Sequence, residues 1–148
     1  VGYWGNPEAT EEVFNDDGWF RSGDLGYIED GFVFIVDRVK DLVIRGGENI
    51  SCIEVEAAIY SHPSVQEAAV FGIPEERLGE TLCTSICLKP SAELTEEEIK
   101  DFLQDKIAAY KIPSMIKIHL EELPRVASGK FSKKQLRDEF VAIEQHTS

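Results

Sequence analysis

The sequence predicts an α+β protein: a small C-terminal domain of about 100 residues with a mixed three-stranded sheet covered by helices, preceded by a β-hairpin and the tail end of a larger domain. Three observations carry this. From Ile50 onward the periodicity runs helix, strand, strand, helix, strand, helix. Two of the helix starts, Ser51 to Glu54 and Thr95 to Glu98, have the Ser/Thr-x-x-Glu capping pattern. Before that, Trp4, Trp19 and Phe20 stand among Gly, Asn, Asp and Pro with no sustained period, as in a segment that packs against something larger.

Taken in order, residues 1–25 read as irregular. The chain has no initiator methionine and opens in mid-phrase on Val1-Gly2-Tyr3-Trp4, so we expect a piece of a longer protein. Leu25 to Val36 reads as a hairpin, two β-prone runs around Glu29-Asp30-Gly31, because Asp-Gly is a strong hairpin-turn signal. Lys40 to Arg45 is a short strand candidate ended by Gly46-Gly47. The first helix of the small domain begins near Ser51, with Ile50, Ile53, Ala57 and Tyr60 at helical spacing, and His62-Pro63 ends it. Val65 to Phe71 is a strand closed by Gly72-Ile73-Pro74, followed by an acidic loop from Glu75 to Glu80. Leu82 to Leu88 alternates Leu82, Ile86 and Leu88 with Cys83, Ser85 and Cys87, a strand signature. Ile99, Phe102, Leu103 and Ile107 form one helical face, and Met115 to Leu120 is the third core strand. A polar loop from Pro124 to Lys130 then enters a helix with Leu136, Phe140 and Ile143 on one face. We expect residues 1–39 to be the end of a large N-terminal domain and residues 40–148 to be the small domain.

Composition narrows the function. The 148 residues are 43% hydrophobic and 29% charged, with a net charge of −13 that argues against a nucleic-acid groove. No apolar run approaches the roughly 18–20 residues needed to span a bilayer. Cys52, Cys83 and Cys87 have neither zinc nor disulfide spacing. On one strand Cys83 and Cys87 would lie about 13 Å apart at about 3.3 Å per residue, whereas a disulfide needs Cα atoms within about 7 Å. They read as small buried hydrophobes in a reducing, cytoplasmic compartment.

Three loop signals bear on chemistry. Ser128-Gly129-Lys130 is not a phosphate-binding P-loop, since Pro124 stands where the first glycine belongs and Phe131 where Ser or Thr belongs. What remains is a lysine on a glycine-containing loop before a helix: a solvated surface lysine, or a cation aimed at developing phosphate charge. Arg21-Ser22-Gly23-Asp24 holds a carboxylate that either bonds its own turn or accepts the two hydroxyls of a ribose. Gly46-Gly47 is a turn, or a point where backbone approaches a thin ligand.

In combination and order these pieces resemble the C-terminal part of the adenylate-forming superfamily: acyl- and aryl-CoA synthetases, peptide-synthetase adenylation domains and beetle luciferases. The matching stretches are Gly2-Tyr3-Trp4 with Asn6-Pro7-Glu8-Ala9-Thr10, Gly18-Trp19-Phe20-Arg21-Ser22-Gly23-Asp24, and Asp37-Arg38-Val39-Lys40-Asp41. They continue through Gly46-Gly47-Glu48-Asn49-Ile50, Glu54-Val55-Glu56, Leu123-Pro124-Arg125 and Ser128-Gly129-Lys130, in one register across residues 2–140. The resemblance implies an ATP-dependent acid–thiol ligase, most like medium- or long-chain acyl-CoA synthetases, that makes an acyl-adenylate and then a thioester. Asp24 would hold the ribose hydroxyls and Arg38 would contact the same nucleotide near ribose and phosphate. Lys40 would be the hinge, and Gly46, Gly47 and Glu48 would line the pantetheine tunnel. Lys130 would be the catalytic lysine near the α-phosphate. Tyr110-Lys111-Ile112-Pro113 matches a stretch that helps bind the CoA nucleotide; Ile112 and Ser114 stand where many relatives have basic residues, which leaves Lys111 as the phosphate-binding charge. Implied substrates are ATP with Mg2+, CoA and a carboxylic acid, and the implied partner is the N-terminal domain, which would also supply the metal ligands. The alternatives are an adenylation domain that loads a carrier protein and a non-catalytic interaction module.

Overall fold

A computed structural model describes residues 2–147, with side chains described through Ala142. The chain forms two compact units, the first ending at Lys40 and the second beginning at Asp41.

In the first unit, helix α1 (Pro7–Val13) lies in the stretch expected to be irregular. Its signal is local: the Asn6 side chain accepts from the Ala9 N–H at 3.0 Å and Pro7 opens the first turn. The segment is too short for a period to show, so the cap and the proline were the only clues. Phe14 and Phe20 then form an isolated bridge with ring centroids 5.4 Å apart. Strands β1 (Asp24–Glu29) and β2 (Phe32–Arg38) form the expected hairpin. Its two-residue turn has Asp30 at φ 50° and Gly31 at φ 82°, the doubly left-handed geometry that matches strand twist. Tyr27 stacks on Phe34 at 5.1 Å. Trp4, Trp19, Ile28, Phe32, Val33 and Ile35 are all exposed.

A single 3-10 turn, Val39–Asp41, leads to strands β3 (Val43–Arg45) and β4 (Glu48–Ile50), paired antiparallel across Gly46-Gly47. Both glycines have positive φ, 58° and 88°, so this is a second tight hairpin. Glu48 to Ile50 is therefore a strand, which takes Ile50 off the helical face where it was expected. Helix α2 (Cys52–Tyr60) follows, with the Ser51 hydroxyl accepting from the Glu54 N–H at 3.3 Å. Its buried face is Cys52, Val55 and Ile59; Ile53 and Tyr60, expected inward, are exposed. The helix starts at the expected Ser51 cap, but with Ile50 in β4 its buried face lies one position away from the expected one.

The central hairpin is longer than its turn signals indicate. Strand β5 (Val65–Glu75) runs through Gly72 and Pro74, and pairs antiparallel with β6 (Gly79–Leu88) to the end, Glu75 opposite Gly79. Proline is tolerated because β5 is an outer strand. Helix α3 (Glu96–Gln104) starts at the reciprocal capping box of Thr95 and Glu98. Strand β7 (Met115–His119) pairs parallel with β6, completing the mixed β5-β6-β7 sheet, which the β3–β4 hairpin extends to five strands through Arg45 opposite Gly79. Helix α4 (Lys133–Thr147) closes the unit. Leu136 and Phe140 are buried as expected, whereas the Ile143 side chain lies outside the described residues.

The sheet is buried on both sides. Ala68, Val70, Leu82 and Ile86 face α2 and α3, while Ala69, Phe71, Ile73, Cys83 and Cys87 face α4 and Leu123. The Cys side of β6 is thus as buried as its Leu side, which is how a strand between two helical layers must be built. All three cysteines are buried and none is in a disulfide among the described residues, and burial, with the Glu67 and Glu122 carboxylates, pushes the Cys87 thiol up. The open edge of β5 is blunted by side chains. The Tyr60 hydroxyl donates to the Ala68 carbonyl (3.4 Å), the Val70 N–H to Glu56 (2.9 Å), and Arg137 Nε to the Gly72 carbonyl (3.1 Å). No helix among the described residues is long and apolar enough to cross a membrane.

At the end of β7, His119 Nε2 is buried with no hydrogen-bond partner among the described residues. Burial first, then the Lys117 charge, lower its pKa against the opposing Glu139. An unfolded histidine titrates near about 6.5, so below that pH the unfolded chain binds the extra proton and stability falls as pH drops. We expect the melting temperature to fall between pH 7.5 and 5.5, and His119→Gln to flatten that slope. An unchanged slope in the variant would remove His119 as its source.

Candidate functional site

The expected site residues fall into three groups. In the first unit, pairing in the hairpin sets Asp24, the first residue of β1, opposite Arg38, the last of β2. Arg38 Nε stands 3.3 Å from Asp24 Oδ1, with the two side chains 49% and 30% exposed, so the pair is open to a ligand. The Asp24 N–H donates to Ser22 Oγ at 3.1 Å, and the Arg38 N–H to the buried Asp37 carboxylate at 2.7 Å. Both backbones are thereby held. A carboxylate with one oxygen on a guanidinium still has lone pairs for hydroxyl donors. Lys40, the next expected residue, is exposed in the 3-10 turn where the first unit ends.

The second group lies at the β3–β4 turn. The Gly46 N–H donates to the Leu78 carbonyl at 2.8 Å, which ties the diglycine turn to the β5–β6 turn, while Gly47 faces open space and Glu48 is exposed. Arg45 Nη1 reaches the Tyr110 carbonyl at 3.4 Å, bringing the Ala109–Lys111 turn to the same end of the sheet. Lys111 differs from the expectation of an available phosphate-binding charge. Its Nζ lies 2.6 and 2.7 Å from the two Glu54 oxygens, and that pairing raises its pKa. The charge is neutralised within the unit because Glu54, in the first turn of α2, comes within reach of it.

The third group is the Lys130 turn. The Val126 N–H donates to the Lys130 carbonyl (2.9 Å), the Gly129 N–H to the Val126 carbonyl (2.8 Å) and the Ser132 N–H to the Pro124 carbonyl (2.7 Å). Arg125 and Phe131 form a bridge across the turn. The Lys130 side chain is exposed and unpaired among the described residues. The turn is anchored on Glu67 of β5, which binds Arg125. Glu67 lies eight residues along β5 from Glu75, whose partner Gly79 pairs with Arg45. At about 3.3 Å per residue that is roughly 26 Å. Lys130 and the diglycine turn therefore belong to opposite ends of the central strand pair.

Sequence reasoning missed Glu67 and left Arg125 without a role. One signal was available: a carboxylate at an inward position of an otherwise apolar strand is rarely buried without a partner. Among the described residues no group of three or more His, Cys, Asp or Glu side chains could hold a metal ion.

A small mixed-sheet domain with an exposed lysine on a braced turn and a diglycine hairpin at the far end is the class of domain that the motif resemblance implies. The chain belongs to the AMP-binding enzyme C-terminal domain family, whose family model matches residues 54–130. It is 45% identical over 147 residues to the mitochondrial medium-chain acyl-CoA ligase ACSF2 of Bos taurus, covering 99% of this chain and 23% of that protein. It is 42% identical over 141 residues to the long-chain-fatty-acid–CoA ligase FadD13 of Mycobacterium tuberculosis, covering 95% of this chain and 27% of that one. The crystal structure of ATP-bound MatB from Rhodopseudomonas palustris matches with a TM-score of 0.85 at 38% identity, covering 94% of this chain and 28% of that one. The chain thus spans about a quarter of the length of these proteins.

Proposed function

We propose that the chain is the C-terminal part of an AMP-forming acid–thiol ligase, an acyl-CoA synthetase acting on a fatty acid. The observation that carries this reading is Lys130, an unpaired ammonium on a turn braced by backbone hydrogen bonds, in a chain of this family. In the first half-reaction a carboxylate oxygen attacks the α-phosphorus of Mg-ATP and pyrophosphate leaves, giving acyl-AMP. Negative charge accumulates at the α-phosphate, and a positioned ammonium offsets it. Asp24 accepts the ribose hydroxyls while Arg38 orients that carboxylate and meets the nucleotide. In the second half-reaction a thiolate attacks the acyl carbon and AMP leaves, its mixed-anhydride bond breaking as the thioester forms. That step needs a channel, which the Gly46-Gly47 turn lines with Glu48 at its rim. The roughly 26 Å between the two ends suits a domain that offers one to each step, pivoting at Lys40.

Fatty acid substrates are supported by the two ligases named above. The remainder of the site, with the Mg2+ ligands and the acyl pocket, we assign to a large domain preceding this one, because the chain matches only a quarter of those ligases. Three buried cysteines outside any disulfide among the described residues support a reducing, cytoplasmic location. One observation favours a carrier-protein thiol over CoA: Glu54 already occupies Lys111, and a carrier's pantetheine arm needs no nucleotide subsite.

The test is an assay of the complete enzyme with ATP, a fatty acid panel, and either CoA or a pantetheinylated carrier protein. We expect AMP and acyl-CoA from the CoA arm, and no ATP–pyrophosphate exchange from the 148-residue chain alone. Failure to form AMP with any acid would sink the ligase reading. Product only with the carrier protein would replace CoA as the acceptor.

A further inference from the structure

Lys130 carries its charge on a side chain with four rotatable carbons, so its usefulness depends on how firmly its backbone is aimed. The neighbours on both sides of it are held by one residue. Arg125 Nη1 donates to the carbonyl of Gly129 at 2.7 Å, and its guanidinium lies 4.4 Å from the ring centroid of Phe131. Arg125 is held in turn by Glu67, a carboxylate buried to 8% exposure on β5. The second oxygen of Glu67 accepts from the Leu123 N–H at 2.7 Å, so the carboxylate grips the chain both before and at the arginine. A buried charge is costly unless paired, and this one spends both oxygens on the segment that leads into the Lys130 turn.

We propose that Glu67 and Arg125 are positioning residues for Lys130, forming a relay from the central sheet to the adenylation lysine; this rests on the role given to Lys130 above. Only a planar guanidinium can serve Glu67, the Gly129 carbonyl and the Phe131 face together, because it offers several donors in a rigid fork and a flat stacking surface. A lysine at 125 retains the charge and loses the geometry. Displacing a charge-stabilising group by about 1 Å can cost roughly 100-fold in rate.

The experiment uses the complete enzyme and measures both half-reactions: ATP–pyrophosphate exchange, and thioester formation from supplied acyl-adenylate. Arg125→Lys and Glu67→Gln are expected to lower the kcat of exchange by about 10- to 100-fold, with KM for the acid and the thioester step unchanged. Amide exchange at Val126, Gly129 and Ser132, whose N–H groups brace the turn, should quicken in both variants while β6 stays protected. In a Lys130→Ala background, Arg125→Lys should lower exchange no further, since it acts through the missing ammonium. The relay is overturned if both half-reactions fall together, or if the two substitutions multiply. Intact exchange in Lys130→Ala alone would instead remove the role of Lys130 itself, and the relay with it.

Discussion

Lys130→Ala in the complete enzyme is expected to slow adenylation by about 10²–10³-fold and to leave thioester formation from supplied acyl-adenylate unchanged. The size follows from deleting one preorganised donor at a site of developing charge, worth about 3–4 kcal/mol of barrier. The asymmetry follows from geometry. The Lys130 turn is anchored at Glu67, and the diglycine turn at Leu78 and Gly79, at opposite ends of the β5–β6 pair. Under the proposed division of labour, a residue at one end has no route to the acyl carbon in the step for which the other end would line the thiol channel. The measurement is the pair of single-turnover rates for the two half-reactions. Equal losses in both would refute the division of labour and place Lys130 in a step common to the two.

Phe71→Ala is expected to destabilise the second unit by about 3–5 kcal/mol, the range for removing a large buried aromatic. Phe71 is fully buried in β5 and meets Phe140 of α4 edge to face, with centroids 5.3 Å apart. Ile73, Cys83 and Leu136 share the same cluster, and none is large enough to fill the space left behind. Against a total stability of about 5–15 kcal/mol this is enough to leave the unit marginal. Both tryptophans, Trp4 and Trp19, lie in the first unit, so tryptophan fluorescence would miss the loss. Urea unfolding followed by amide protection of β5 and β6 reports it. A change below about 1 kcal/mol would show that α4 does not brace the sheet.

Much of the fold was legible because its signals are local. Capping at Ser51 and Thr95, the Asp30-Gly31 turn and the order of strands and helices after Ile50 depend on residues within a few positions of one another. The misreadings of strand extent have one cause. Gly46-Gly47 can end a strand or turn a hairpin, and only a paired β4 shows which; with Ile50 placed there, the inward face of α2 becomes Cys52, Val55 and Ile59. Likewise Gly72 and Pro74 look like a strand end until β6 pairs beyond them.

The candidate site divides the same way. Asp24 and Arg38 meet because one short hairpin sets their register, and a hairpin is readable from its turn. Lys111 and Glu54 are 57 positions apart, and Glu67 and Arg125 are 58 apart. Nothing in the neighbourhood of either partner announces the other. Spacing and turn chemistry along the chain determine which elements form and which residue types they display. Whether a charge such as Lys111 is spent on an internal partner, or one such as Lys130 stays exposed on its turn, depends on side chains that packing alone brings within 3 Å.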